Sequence, residues 1–422
     1  MAGPWHAPAS YLQERWFHST TDRRCDHNNV VAWQLDGPLR TSAVIAAVRA
    51  LAERHEVLRT ALVDTGDGVL QAVEPPGDVP VWLVDLSESS APERDLDKLI
   101  VEDAEQPFLL TEAPLWRVGL VRLDKRRHVL VLVVSHAVSD GWSMGVLCRD
   151  FIRLLGALVT GRDARLPELA VQFGDYAAWE RELSSPAAEA WWRDRLPAPR
   201  PALPGRPGWQ ERTAFRMDGR VFPEVAARAG WSALARMYGG SLATAVTAGV
   251  LTALSPYVDG AVVLGFMHAN RDRPELQPLV GPVFDYLPLR LTVSEQDSVG
   301  DLVRRVREEQ RTARHHRLPL GAIERVAGGP VFDVAVEFLP HSTAAPVRVA
   351  GLELTSYPVP ELTVRHSGEV SFAATVPLNY IVRETESGLA GVVYGNALAV
   401  EPSTMAALGT SFATVLGRAG VT

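Results

Sequence analysis

The run Val129-Leu130-Val131-Leu132-Val133-Val134 constrains the fold of this chain more than any other stretch. It is an unbroken apolar segment rich in β-branched residues, and such a segment reads as a strand covered on both faces. Residues 115–123 read as the strand before it, joined through the polar turn Asp124-Lys125-Arg126-Arg127. Directly after the run comes Ser135-His136-Ala137-Val138-Ser139-Asp140-Gly141-Trp142-Ser143, and then Met144, Leu147, Phe151, Leu155 and Leu158 recur at helical spacing. A short polar loop is thus anchored between a buried strand and a helix, a place where a fold can hold reactive side chains rigidly.

The 422 residues exceed one ordinary domain and fit two of medium size. Residues 29–35 read as a strand, and Val44, Val48 and Leu51 recur at helical spacing up to Arg54. Residues 197–207 read PAPRPALPGRP, which suits neither helix nor central strand and is best taken as an extended connector. The division expected is therefore an N-terminal lobe over 1–196, a connector over 197–208 and a C-terminal lobe over 209–422. Beyond the connector, residues 242–254, 299–314 and 404–416 read as helices and 262–267, 286–293, 332–339 and 389–394 as strands. Both lobes are α/β.

A formal charge of −8 and the lack of a strip of Lys and Arg interleaved with aromatics give no basic footprint for nucleic acid. Neither a secretion signal nor a bilayer-length apolar stretch is found, so a cytoplasmic location without membrane contact is expected. Cys25 and Cys148 are far apart and form no C-x-x-C pattern, which suggests neither a disulfide framework nor a zinc site. His315-His316 has no third ligand nearby in sequence, and no metal is expected.

The loop 135–143 resembles the HHxxxDG motif of the condensation domains of nonribosomal peptide synthetases. It reads here as Ser135-His136-Ala137-Val138-Ser139-Asp140-Gly141, with Ser135 in place of the first His. Tyr11-Leu12-Gln13-Glu14-Arg15-Trp16-Phe17, Arg54-His55-Glu56-Val57-Leu58-Arg59-Thr60 and Phe173-Gly174-Asp175-Tyr176-Ala177-Ala178-Trp179 resemble other motifs of that family, in the family's order. Ala269-Asn270-Arg271-Asp272-Arg273-Pro274 and Val280-Gly281-Pro282-Val283-Phe284-Asp285 resemble the region of its fifth motif, with Asp285 where Asn is usual. The resemblance implies two chloramphenicol-acetyltransferase-like lobes in a V, with an active site and a tunnel at their seam. It implies transfer of an acyl or peptidyl group from the phosphopantetheine thioester of a carrier protein to an amine, with no tightly bound cofactor. No carrier domain follows Thr422, so a carrier acting in trans is expected, with a small-molecule or carrier-bound nucleophile as the other partner.

Such a transfer needs an unprotonated nucleophile, a destination for its proton and stabilisation of negative charge on the carbonyl oxygen. His136 can serve the first two, as a base or by positioning an amine that is already partly neutral. Gly141 opens a helix whose amides suit a developing oxyanion, and with His136 it makes up the expected catalytic pair. Asp140 lies too few residues from His136 to be assumed its partner. It reads as the helix N-cap, while the family analogy makes it a structural salt bridge to an Arg of the second lobe, for which Arg271 is the candidate. Ser135 and His136 are neighbours on a strand and point to opposite faces, and no G-x-S-x-G elbow surrounds them, so Ser135 is expected to support the loop without becoming acylated.

Cyclising relatives carry Asp where Ser135 stands, and epimerising ones add an EGHGR-like stretch that is missing here. An O-acyltransferase forming an ester would use the same His. A further alternative is a non-catalytic module that recruits a tailoring enzyme, motivated by Ser135 and Asp285. His55 and Arg59 read as a structural turn, and Trp179, Trp191 and Trp192 as packing aromatics.

Overall fold

The computed structural model describes residues 3–25, 27–196, 214–225, 228–258, 260–340, 345–360, 367–369 and 378–418. The chain forms two compact units. The first comprises Met1–Glu182, Ala269–Phe284 and Thr343–Thr363, and the second Leu183–His268, Asp285–Ser342 and Val364–Thr422.

In the first unit a six-stranded sheet runs in the order Val347–Val349, Leu352–Tyr357, Asn28–Asp36, Arg127–Ser135, Trp116–Arg122, Val81–Asp85. The apolar run occupies its interior, paired antiparallel on both sides, and Val129 to Val134 are fully buried. The helix Gly141–Thr160 leaves the end of that strand through the polar loop and packs against the helix Thr41–Arg54. Val44, Val48 and Leu51 of the latter are buried, and each such side chain contributes about 1.5–3 kcal/mol of transfer free energy.

The second unit holds a seven-stranded mixed sheet, in the order Asp285–Val293, Gly260–His268, Val334–Leu339, Leu378–Glu384, Leu389–Asn396, Ala214–Val225, Ser367–Glu369. The helices Leu242–Leu254, Val299–His315 and Pro402–Arg418 pack on it. Leu242–Leu254 is buried almost all round, which explains why its sequence is apolar at nearly every position.

The units do not follow the linear division expected from the proline-rich stretch. The connector 197–208 lies outside the described residues, the helix Pro186–Arg195 belongs to the second unit, and two later segments return to the first. One return is explained by the strand Leu352–Tyr357, which satisfies its backbone by pairing antiparallel with Asn28–Asp36. The other brings Arg271 to Asp140. Among the described residues no single helix is long and apolar enough to cross a membrane.

Candidate active site

The strand Arg127–Ser135 ends where its partner Asn28–Asp36 begins, with Ser135 opposite Asn28. Beyond that point the chain turns sharply. Val138 N donates to Ser135 O at 3.1 Å, Ser139 Oγ donates to the same carbonyl at 2.9 Å, and Ala137 N donates to Ser135 Oγ at 3.3 Å. Ser135 is fully buried, so its hydroxyl closes the turn and is shielded from any incoming acyl group.

His136 projects from this turn and is only partly exposed. Its ring stacks with Trp16 at 5.9 Å between centroids and meets Phe284 edge-on at 6.2 Å. Nδ1 lies 3.4 Å from Asn29 Nδ2, and the same amide donates to Ser139 Oγ at 2.9 Å. The surrounding aromatic surface desolvates the imidazole and holds its pKa below the ordinary histidine value, opposed by the nearby Asp140 carboxylate and a hydrogen bond to the Ser139 backbone. The ring is therefore neutral near pH 7 and able to accept a proton.

Asp140 caps the helix, as its position suggested, and pairs with Arg271. Its Oδ1 accepts from Ser143 N at 2.7 Å and so caps the helix Gly141–Thr160. Arg271 Nη2 donates to Oδ1 and Oδ2, each at 3.0 Å, and Val283 N donates to Oδ2 at 3.1 Å. Arg271 is in turn held by the carbonyls of Leu276 and Leu279, each 2.6 Å from Nη1. The expected ion pair exists, yet it lies within one unit, because the segment Ala269–Phe284 folds with the loop it braces. Ser143 Oγ strengthens the same junction by accepting from Gly281 N at 3.0 Å. Gly281 has φ +147°, and a Cβ there would fall 1.9 Å from the Phe173 ring, so no other residue fits. Both oxygens of Asp140 are thus committed to Arg271 and to the amides of Ser143 and Val283.

Gly141 is the first helical residue and exposed, and a Cβ built on it would meet nothing within 4 Å. The space beside it is open among the described residues.

The residue readings missed the supports of His136. Gln13, fully buried and part of a capping box with Ser10, donates from Nε2 to Ala137 O at 3.2 Å. Asn29, Ser139, Trp16 and Phe284 complete the ring's surroundings. The available signal was a polar pair, Asn28-Asn29, just before the apolar residues 30–33 of the strand. Asp285 accepts from the Tyr286 amide and from Leu320 N at 3.0 Å, where it supplies the cap that Pro319 cannot give to the helix Leu320–Ala327. That is a structural account of the Asp in place of the usual Asn.

His55 lies 3.1 Å from the buried Asp150, which also takes Arg54 at 2.9 Å and has its carboxyl held at about 2. His316 stacks on Trp191 at 4.5 Å. Both are packing sites, and among the described residues no group of three or more His, Cys, Asp or Glu is placed to hold a metal ion.

The family model of the condensation domain matches residues 5–374. The chain is 30% identical over 438 aligned positions to chondramide synthase cmdD of Chondromyces crocatus, covering 97% of this chain and 11% of that one. It therefore spans a small part of that relative's length. Among solved structures, the X-domain from teicoplanin biosynthesis is similar over 100% of this chain and 96% of its own, with TM-score 0.81 and 26% identity. That X-domain is also known in complex with OxyB, where the TM-score is 0.79 at 25% identity, over 100% of this chain and 95% of that one. The first condensation domain of the calcium-dependent antibiotic synthetase, in complex with a substrate analogue, shares the fold over 99% of this chain and 97% of its own, at TM-score 0.75 and 23% identity. The chloramphenicol-acetyltransferase-like α/β fold and the ordered motifs agree with these matches: the chain belongs to the condensation-domain family of nonribosomal peptide synthetases.

Proposed function

We propose that the chain transfers an acyl or peptidyl group from the phosphopantetheine thioester of a carrier protein to an amine, forming an amide. The observation that carries this reading is His136, a neutral imidazole gripped by Trp16, Asn29 and the Ser139 backbone on a loop braced by Asp140 and Arg271.

In the reaction the amine nitrogen attacks the thioester carbonyl carbon and the C–S bond breaks. The imidazole takes the proton that the amine loses and returns it to the departing thiolate, so an amide and a free pantetheine thiol result. The rigid setting of the ring supports an orienting role as well, since an α-amine with a reference pKa of about 8 is already partly neutral. The helix opens at Gly141 beside open space, and the amides of Gly141 and Trp142 suit the oxyanion, those of Ser143 and Met144 being taken by Asp140.

A second reading is favoured by the likeness to an X-domain that binds OxyB: a module that docks a tailoring enzyme and transfers nothing. Loading candidate carrier proteins with acyl groups and following loss of the acyl mass by intact-protein mass spectrometry, with amine present and absent, separates the two. Amine-dependent off-loading supports transfer. Stable acyl-carrier with retained binding of a partner enzyme supports docking.

A further inference from the structure

The second unit carries a carboxylate that the reading above does not use. In the strand Val334–Leu339, Val334 and Val336 are buried on the sheet face covered by helices, where Tyr380 meets Phe412 of the helix Pro402–Arg418. Alternation along the strand turns Glu337 to the opposite face. The registers Ala335↔Asn379 and Asn379↔Tyr394 put Asn379 and Tyr394 on that face with it. Tyr286, opposite Met267 on the strand Gly260–His268, reaches the same carboxylate.

Glu337 Oε1 accepts from Tyr286 Oη at 2.7 Å and from Asn379 Nδ2 at 2.6 Å. Asn379 Nδ2 also donates to Tyr394 Oη at 2.7 Å, which fixes the amide so that Oδ1 is its remaining acceptor. Oδ1 is buried and has no partner among the described residues, and Asn379 is only 4% exposed. Glu337 is half-buried, its Oε2 makes no hydrogen bond among the described residues, and no cationic side chain among them pairs with this carboxylate. Burial has pushed its pKa above the usual glutamate value.

The Asn379 amide oxygen is a buried acceptor that lacks a donor, which is costly, and on the same face stands a carboxylate whose second oxygen is uncommitted. A hydroxyl could meet one of them. A protonated amine supplies several N–H donors and the countercharge together. A hard metal ion would need more oxygen ligands than this pair offers. We propose that this face of the second unit is a binding subsite for a protonated amine, held by Glu337 Oε2 and Asn379 Oδ1.

The test is binding, read without acyl transfer, so a chain inactive in transfer still reports on it. Protein labelled with 13C in its glutamate carboxyls is titrated near pH 7 with glycinamide, which is mostly protonated there, and with the neutral glycolamide. Glu337→Gln identifies the resonance. The expected result is a saturable shift of the Glu337 signal with glycinamide, and affinity weakened at least about tenfold for glycolamide and for the Gln variant measured through neighbouring resonances. Asn379→Ser, which keeps the carboxylate but withdraws the amide oxygen, should weaken glycinamide several-fold and serves if the Gln variant does not fold. Equal affinity of both probes, equal binding by parent and variants, or no saturable shift overturns the proposal.

Discussion

Asp140→Asn removes the charge of the Asp140–Arg271 pair, together with the acceptor that Oδ2 offers Val283 N. The replacement has nearly the same shape and keeps an oxygen to accept from Ser143 N, so the helix cap survives while the countercharge is lost. Asp140 is 3% exposed and Arg271 4%, and Nη2 lies 3.0 Å from both carboxylate oxygens. Water cannot take over the solvation of the stranded guanidinium, whose Nε already has no partner. For a buried pair broken on one side the expected loss is about 3–5 kcal/mol. Arg271→Met should cost a comparable amount, since Asp140 would retain only the amides of Ser143 and Val283 and the Ser143 hydroxyl. In the double variant the two losses should fall short of adding, by about 0.5–3 kcal/mol. Urea unfolding read by tryptophan fluorescence provides the measurement, and Trp142 is a local reporter because its ring centroid lies 5.8 Å from the guanidinium. Single losses below about 1 kcal/mol that add without coupling, as exposed pairs do, would refute the assignment of this pair as the brace of the loop.

Single-turnover transfer, divided by the neutral fraction of the amine, should be constant near neutrality and fall as the pH drops through the pKa of His136, with the inflection below 6.5, because desolvation disfavours the imidazolium that cannot accept a proton; a corrected rate that rises on acidification would contradict this. Ser135→Ala should lose about 0.5–1.5 kcal/mol of stability, keep most of the transfer activity and leave the parent free of any acyl-serine adduct by mass spectrometry. Gly141→Ala should leave the melting temperature unchanged or slightly raised, since the added methyl meets nothing, while slowing transfer if the thioester carbonyl approaches the helix start; transfer unchanged in that variant removes Gly141 from the catalytic pair.

The elements that the sequence made legible are those whose burial leaves a mark along the chain. The apolar run became an interior strand, and the helix expected over 242–254 is the observed Leu242–Leu254. The strand Leu378–Glu384 went unread, because Asn379 and Arg383 break its apolar pattern. So did Leu352–Tyr357, which joins the first unit's sheet through a pairing between residues more than three hundred positions apart. At the site, His136, Asp140 and Arg271 stood out because they fall in recognisable motifs. Gln13, although inside a quoted motif, and Asn29 did not, since each acts through hydrogen bonds to a distant loop and the residue types alone do not say which loop.

The central claim is that His136 is the group through which this chain performs acyl transfer. Its most direct test is the off-loading of an acyl-loaded carrier protein to an amine, followed by intact-protein mass spectrometry for the parent and for His136→Ala at matched folding. The account predicts amine-dependent loss of the acyl mass by the parent, slowed about a hundredfold to ten-thousandfold in the variant. Equal off-loading by both proteins, or none by the parent with any carrier and amine pair while a tailoring enzyme binds it, would contradict the account.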